Sequence, residues 1–215
     1  MRSIPSSQQT SHYFPALSCM IAAVLWGFFW YPLRLLEDMG VHGLWSTLII
    51  YCSALVFILP ACCRWRDEFL KHKTDYMLIM IFAGWANLAF ILAVLDGQIV
   101  RVLLLFYLSP IWAIILAFLI LREHLTKTAL VALVLAILGA VLMLWDSELI
   151  DPNTMNRADF YAITSGMAFA VTNVMVRKIG DVPIGMKMGS AWLGVIILTI
   201  CGLFIAQPHL PDITI

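Results

Sequence analysis

The sequence predicts an all-α fold, a polytopic bundle of about seven transmembrane helices. Two properties predict it. Apolar residues make up 62% of the 215 residues and charged residues 12%, against about 45–50% and about 25% in soluble globular domains. A chain so poor in polar groups cannot coat a water-soluble particle, and its mean hydropathy is +0.94. The apolar residues also fall into seven runs, each near the roughly 20 residues that cross a bilayer as helix. The runs are continuously apolar rather than alternating, which favours helices over barrel strands. A cytosolic enzyme, a nucleic-acid binder, a disordered chain and a disulfide-stapled secreted domain are excluded on composition.

Residues 1–13 are polar and Ser/Gln-rich and predict a disordered tail, followed by a run long enough to span rather than a signal peptide. The first span is Phe14–Leu33. In it Trp26, Trp30 and the following Arg34 are spaced i, i+4, i+8 and share one helix face. Trp26, near mid-depth, either packs in the core or lines a cavity. Arg34 either snorkels to headgroups or offers a positive charge on its side of the bilayer. The second span, Leu44–Cys63, carries Tyr51, and the third, Tyr76–Leu95, carries Asn87. An amide in hydrocarbon is costly unless bonded, so Asn87 is expected to face the bundle interior.

The fourth span is Val102–Leu121, preceded by Arg101. Pro110 near its middle cannot bond the Phe106 carbonyl and predicts a kink, and Tyr107 lies one turn before it. The freed carbonyl finds a neighbouring helix or faces a cavity. The fifth span, Ala129–Trp145, carries the small-residue stripe Ala132, Ala136 and Ala140; the sixth, Phe160–Val176, carries Ala162, Gly166 and Ala170. Both stripes predict close helix packing. Thr172 and Asn173 add polar groups to the sixth. The seventh span is Met188–Ala206, and 207–215 form a short tail.

Basic residues set orientation. Ten (Arg2, Arg64, Arg66, Lys71, Lys73, Arg122, Lys127, Arg177, Lys178, Lys187) fall on the side of the N-terminus, and three (Arg34, Arg101, Arg157) on the other. A cytoplasmic N-terminus in the inner or plasma membrane is expected, with the acidic stretch Asp146, Glu148, Asp151 and Asp159 in an external loop.

No Asp, Glu or His lies deep in a span, and no nucleophile elbow, zinc-protease helix or phosphate loop is present. His42 with Glu37 and Asp38 is the one faint catalytic pairing. Cys19, Cys52, Cys62, Cys63 and Cys201 lie in or beside apolar runs without metal-ligand spacing. The chain is not expected to be an enzyme, and no cofactor, metal or nucleic acid is expected.

The motifs in order resemble the drug/metabolite transporter superfamily, in its EamA-type branch. They are Ala22-Ala-Val-Leu-Trp-Gly27, then Asp96-Gly-Gln-Ile-Val-Arg101 through Leu103-Leu-Leu-Phe-Tyr-Leu-Ser-Pro110, then Glu123-His-Leu-Thr126 and Leu138-Gly139-Ala-Val-Leu. Arg122 departs from the pattern, which often has Gly before the Glu. The resemblance divides the chain into a first five-helix repeat over 14–146, an external loop over 147–159 and two helices of an inverted second repeat over 160–206. A shift of 143 sets Trp26 over Phe169, Trp30 over Asn173 and Arg34 over Arg177.

The resemblance implies a secondary transporter, by efflux or exchange, of a small organic metabolite such as an amino acid, working by alternating access through a central cavity. The expected cavity residues are Trp26, Trp30, Tyr51, Asn87, Tyr107, Pro110, Thr172 and Asn173, with Arg34 and Arg101 as outer-side charge. The family has ten helices and seven are legible here. Either the sequence is a fragment or frameshifted product, or the missing helices come from another chain; a homodimer is the other partner considered, and the alternative function is a truncated or accessory membrane protein that does not transport. The bilayer and a small solute are the expected partners.

Overall fold

A computed structural model describes residues 6–28, 30–64, 70–122, 126–143 and 155–207. Its helices are α1 (Ser6–Phe28), α2 (Trp30–Asp38), α3 (Gly43–Arg64), α4 (Lys73–Asp96), α5 (Ile99–Phe106), α6 (Ser109–Leu116), α7 (Lys127–Met143), α8 (Arg157–Lys178) and α9 (Ile184–Ala206). No strand occurs among the described residues, and the molecule is an all-α membrane helix bundle. Four helical stretches are long and apolar enough to span a bilayer on their own: Leu17–Asp38, Lys73–Asp96, Ile99–Leu121 and Ile184–Ala206. α8 is less apolar and carries the buried Ser165 and the cavity-lining Thr172 and Asn173.

α4 is the central helix, flanked by α8 and α9. Gly84 and Gly194 explain how α9 approaches it. A methyl built on Gly194 would overlap the Met80 carbonyl, and one on Gly84 would overlap the Gly194 backbone. The two backbones touch, which only glycine permits. On the other side the buried Ser165 hydroxyl donates to the Ala86 carbonyl at 2.6 Å, tying α8 to α4.

Pro110 acts as the sequence suggests, and more sharply. The helix stops at Phe106 and restarts at Ser109. Tyr107 N–H donates to Leu103 at 2.8 Å and Leu108 N–H to Leu105 at 3.3 Å, closing the last turn of α5. Pro110 stands in the first turn of α6, where a missing N–H costs nothing. The Phe106 carbonyl, left without its helical donor, rests against Gly166, where an added Cβ would lie 2.9 Å from it. Ala162 and Ala170 of the same stripe are fully buried. The side chains of Ala132, Ala136 and Ala140 lie outside the described residues, as do Glu123, Trp145 and the side chains of Cys62 and Cys63. α6 runs into one turn of π-helix, Ala117–Leu121, and Arg122 beyond it has φ +54°. The resembling family often has glycine at this position, and the left-handed backbone supplies the reason.

Two packed clusters mark the two ends of α4. Near its start Tyr76 and Ile79 meet Val174, Met175, Ile179 and Met186. Near its end Phe90, Ala93 and Val94 meet Val102, Phe106 and Ala162.

Three sequence expectations shift. α1 begins at Ser6, inside the segment expected to be disordered, its polar first turns continuing into the apolar run. Asp159, expected in an external loop, sits in the first turn of α8. There Asn156 and Asp159 form a reciprocal capping box, at 3.0 Å and 3.1 Å. Arg34 and Arg101, expected as outer-side charge available to a solute, are both engaged. Arg34 donates to the Val94 and Gly97 carbonyls at 3.1 Å and 2.8 Å, capping the end of α4. Arg101 pairs with Asp159 at 2.8 Å, with side chains 13% and 2% exposed.

Candidate functional site

Between the two clusters, at mid-length of α4, lies a cavity of about 290 Å³. Its floor is α4 itself, through Ala83, Ala86, Asn87 and Phe90. α1 contributes Trp26, α3 Tyr51 and α5 Phe106. α8 contributes Phe169, Thr172, Asn173 and Val176, and α9 contributes Met188, Ala191, Trp192 and Val195.

The aromatic wall is continuous. Trp26 stacks on Phe90 with centroids 6.1 Å apart, Phe90 meets Phe106 edge-on at 5.0 Å, and Phe106 meets Phe169 at 5.4 Å. These are ordinary aromatic separations, stacked for Trp26–Phe90, edge-to-face for Phe90–Phe106 and tilted for Phe106–Phe169. The polar part centres on Asn87. Its Nδ2 donates to the Tyr51 hydroxyl at 2.5 Å, while its buried Oδ1 has no partner among the described residues. Thr172 donates to the Ala168 carbonyl of its own helix at 2.9 Å. No Asp, Glu, Lys, Arg or His lines the cavity among the described residues.

The structure therefore brings Trp26, Tyr51, Asn87, Thr172 and Asn173 together around one space. It does not bring in Trp30, Tyr107 or Pro110. Trp30 points to the same side as Trp26 but one turn further along, where it packs on the Phe90–Phe106 cluster and meets Tyr31 edge-on at 5.8 Å. The i, i+4, i+8 face is thus real: Trp26 reaches Phe90, Trp30 the next layer, and Arg34 the end of α4. Tyr107 is 54% exposed and Pro110 is exposed as well. Where α5 ends, the inward position belongs to Phe106, and the next residue turns about 100° away.

Trp192, Phe90, Phe106 and Phe169 escape a reading of the sequence. An aromatic in an apolar run looks the same whether it packs or lines a space. One signal was available for Phe169: the shift of 143 sets it over Trp26, and both line this cavity.

His42 and Glu37 have structural work. Glu37 Oε2 accepts from Gly43 N–H at 2.7 Å and His42 Nδ1 from Leu44 N–H at 3.2 Å, together capping the start of α3.

The EamA-like transporter family model matches residues 14–145. A relative from Bacillus subtilis (strain 168), described as an uncharacterized transporter, YojE, is 24% identical over 220 residues, covering 88% of this chain and 72% of the relative. No solved structure matches.

Proposed function

The chain belongs to the EamA-like transporter family, and from that premise we propose that it carries a small organic metabolite across the membrane through the cavity at mid-length of α4. It is a membrane transporter by family, and the finer reading is a secondary carrier working by efflux or exchange, not an enzyme. One observation carries the proposal: a cavity with an aromatic wall and two amides, lined at mid-length of α4 by residues of α1, α3, α4, α5, α8 and α9. Its volume of about 290 Å³ lies near the low end of small-molecule sites, roughly 300–1,000 Å³, so the solute is small. The break between α5 and α6 supports the reading, since interrupted helices at mid-depth are a recurrent way for transporters to build a site. The excess of Lys and Arg on the N-terminal side argues for a cytoplasmic N-terminus. The Asp159 end of the bundle then faces outward.

The test is solute flux in proteoliposomes. Phe106→Ala and Asn87→Leu are expected to reduce flux at least about tenfold while the protein stays folded, since each removes a wall or a bonding group from the cavity. Leu135→Ala on the exposed surface of α7 is expected to leave flux unchanged. Flux that survives both cavity substitutions would sink the proposal.

A further inference from the structure

The lining of the cavity narrows the solute further, and this step rests on the proposed carrier function. We infer that the solute is a planar, uncharged molecule with an amide-like edge, one N–H donor beside one C=O acceptor on a ring. Three features of the cavity converge on this chemistry.

The first is the unmet bonding of Asn87. The residue is 9% exposed, and only one half of its amide is used, by the Tyr51 hydroxyl. The other half, Oδ1, is buried and without a partner among the described residues. A buried acceptor left unbonded is costly, and a ligand that supplies the donor recovers that cost. The conclusion survives exchange of the two amide atoms, which look alike to all but the hydrogen-bond network. With Oδ1 on Tyr51, the free half is an N–H donor and asks for a carbonyl. A lactam edge satisfies either arrangement. Asn173, a second amide in the same lining, has the same dual capacity.

The second is the absence of charge. Among the described residues no ionised side chain lines the cavity. Arg34 is spent on the end of α4, Arg101 on Asp159 and Lys187 on the Gly180 carbonyl. A carboxylate or ammonium carried into this space meets no counter-charge, and an unpaired buried charge costs far more than an unpaired amide. A zwitterion suffers twice.

The third is the shape of the wall. Trp26, Phe90, Phe106 and Phe169 form one run of rings, with Trp192 contributed by α9. Flat ring systems gain from such a wall by stacking, beyond simple area burial.

The experiment is thermal unfolding of the purified full chain in lipid nanodiscs with four probes. They are hypoxanthine (a neutral planar lactam), 1-methylhypoxanthine (its lactam N–H blocked), phenylalanine (a zwitterion) and phenyltrimethylammonium (a cation). Hypoxanthine is expected to raise the midpoint temperature in a saturable way, and 1-methylhypoxanthine to bind about tenfold more weakly. Asn87→Leu is expected to abolish that discrimination, whereas Asn87→Gln retains part of it. Stabilisation by phenylalanine or by the cation equal to that of hypoxanthine would overturn the inference, as would equal binding of the two lactams or no stabilisation by hypoxanthine. Flux separates this inference from the carrier reading. Proteoliposomes that move phenylalanine and ignore hypoxanthine refute the inference and keep the carrier. Lactam binding in nanodiscs with no counterflow of labelled hypoxanthine keeps the binding chemistry assigned to the cavity and refutes the carrier.

Discussion

The two ends of the bundle use similar charges in unlike ways. At one end the Arg101–Asp159 pair is almost dry, 13% and 2% exposed, and Asp159 is also held by the cap of α8. Beside it the Arg34 guanidinium closes the end of α4. At the other end Lys178 reaches Asp75 over the same 2.8 Å, yet its side chain is 45% exposed. Lys187 caps the Gly180 carbonyl there. Equal distances do not mean equal value. Burial removes the water that would otherwise screen and replace each partner, so the dry pair is tightly committed and the wet pair is nearly optional.

Three substitutions test that contrast. Arg101→Met is expected to have the largest effect, a loss of about 3–5 kcal/mol, because it strands the Asp159 carboxylate without its partner. Equilibrium unfolding in mixed micelles measures it, and a loss below about 1 kcal/mol would erase the distinction between the ends. Arg122→Gly comes next, with the opposite sign. Arg122 is held at φ +54° beside the Asp75 end, and relief of that backbone is expected to stabilise the protein by about 1 kcal/mol, net of the entropy glycine loses on folding. Lys178→Met is the smallest, within about 1 kcal/mol and shrinking further as salt is raised. If it matched Arg101→Met, exposure would not be the deciding variable.

The sequence made some of this legible because certain costs are local. A helix-spaced stripe through Trp26, Trp30 and Arg34 shows its common face without any partner in view. Asn87 in an apolar run must find a bond, so its inward position follows from energy alone. Pro110 must break a helical bond, and it does. What stayed hidden depends on where helices meet. Phe106 and Tyr107 are neighbours in sequence, and the hydroxyl drew attention to Tyr107, but the end of α5 turns Phe106 inward. Trp192 and Phe90 carry no polar mark that separates wall from packing. Arg101 and Asp159 lie 58 positions apart in the numbering, and nothing local joins them. The Asn156–Asp159 spacing was the available hint, since residues three apart with these side chains open helices.

The contact between α4 and α9 has a consequence for how this chain can vary. At Gly194 the neighbouring surface is the Met80 peptide group itself, and a main-chain atom has no rotamer to swing aside. Every other amino acid brings at least one more carbon to that spot. Ordinary drift, which elsewhere trades one apolar side chain for another, has no silent step available there, and a change at 194 survives only if the two helices move apart together.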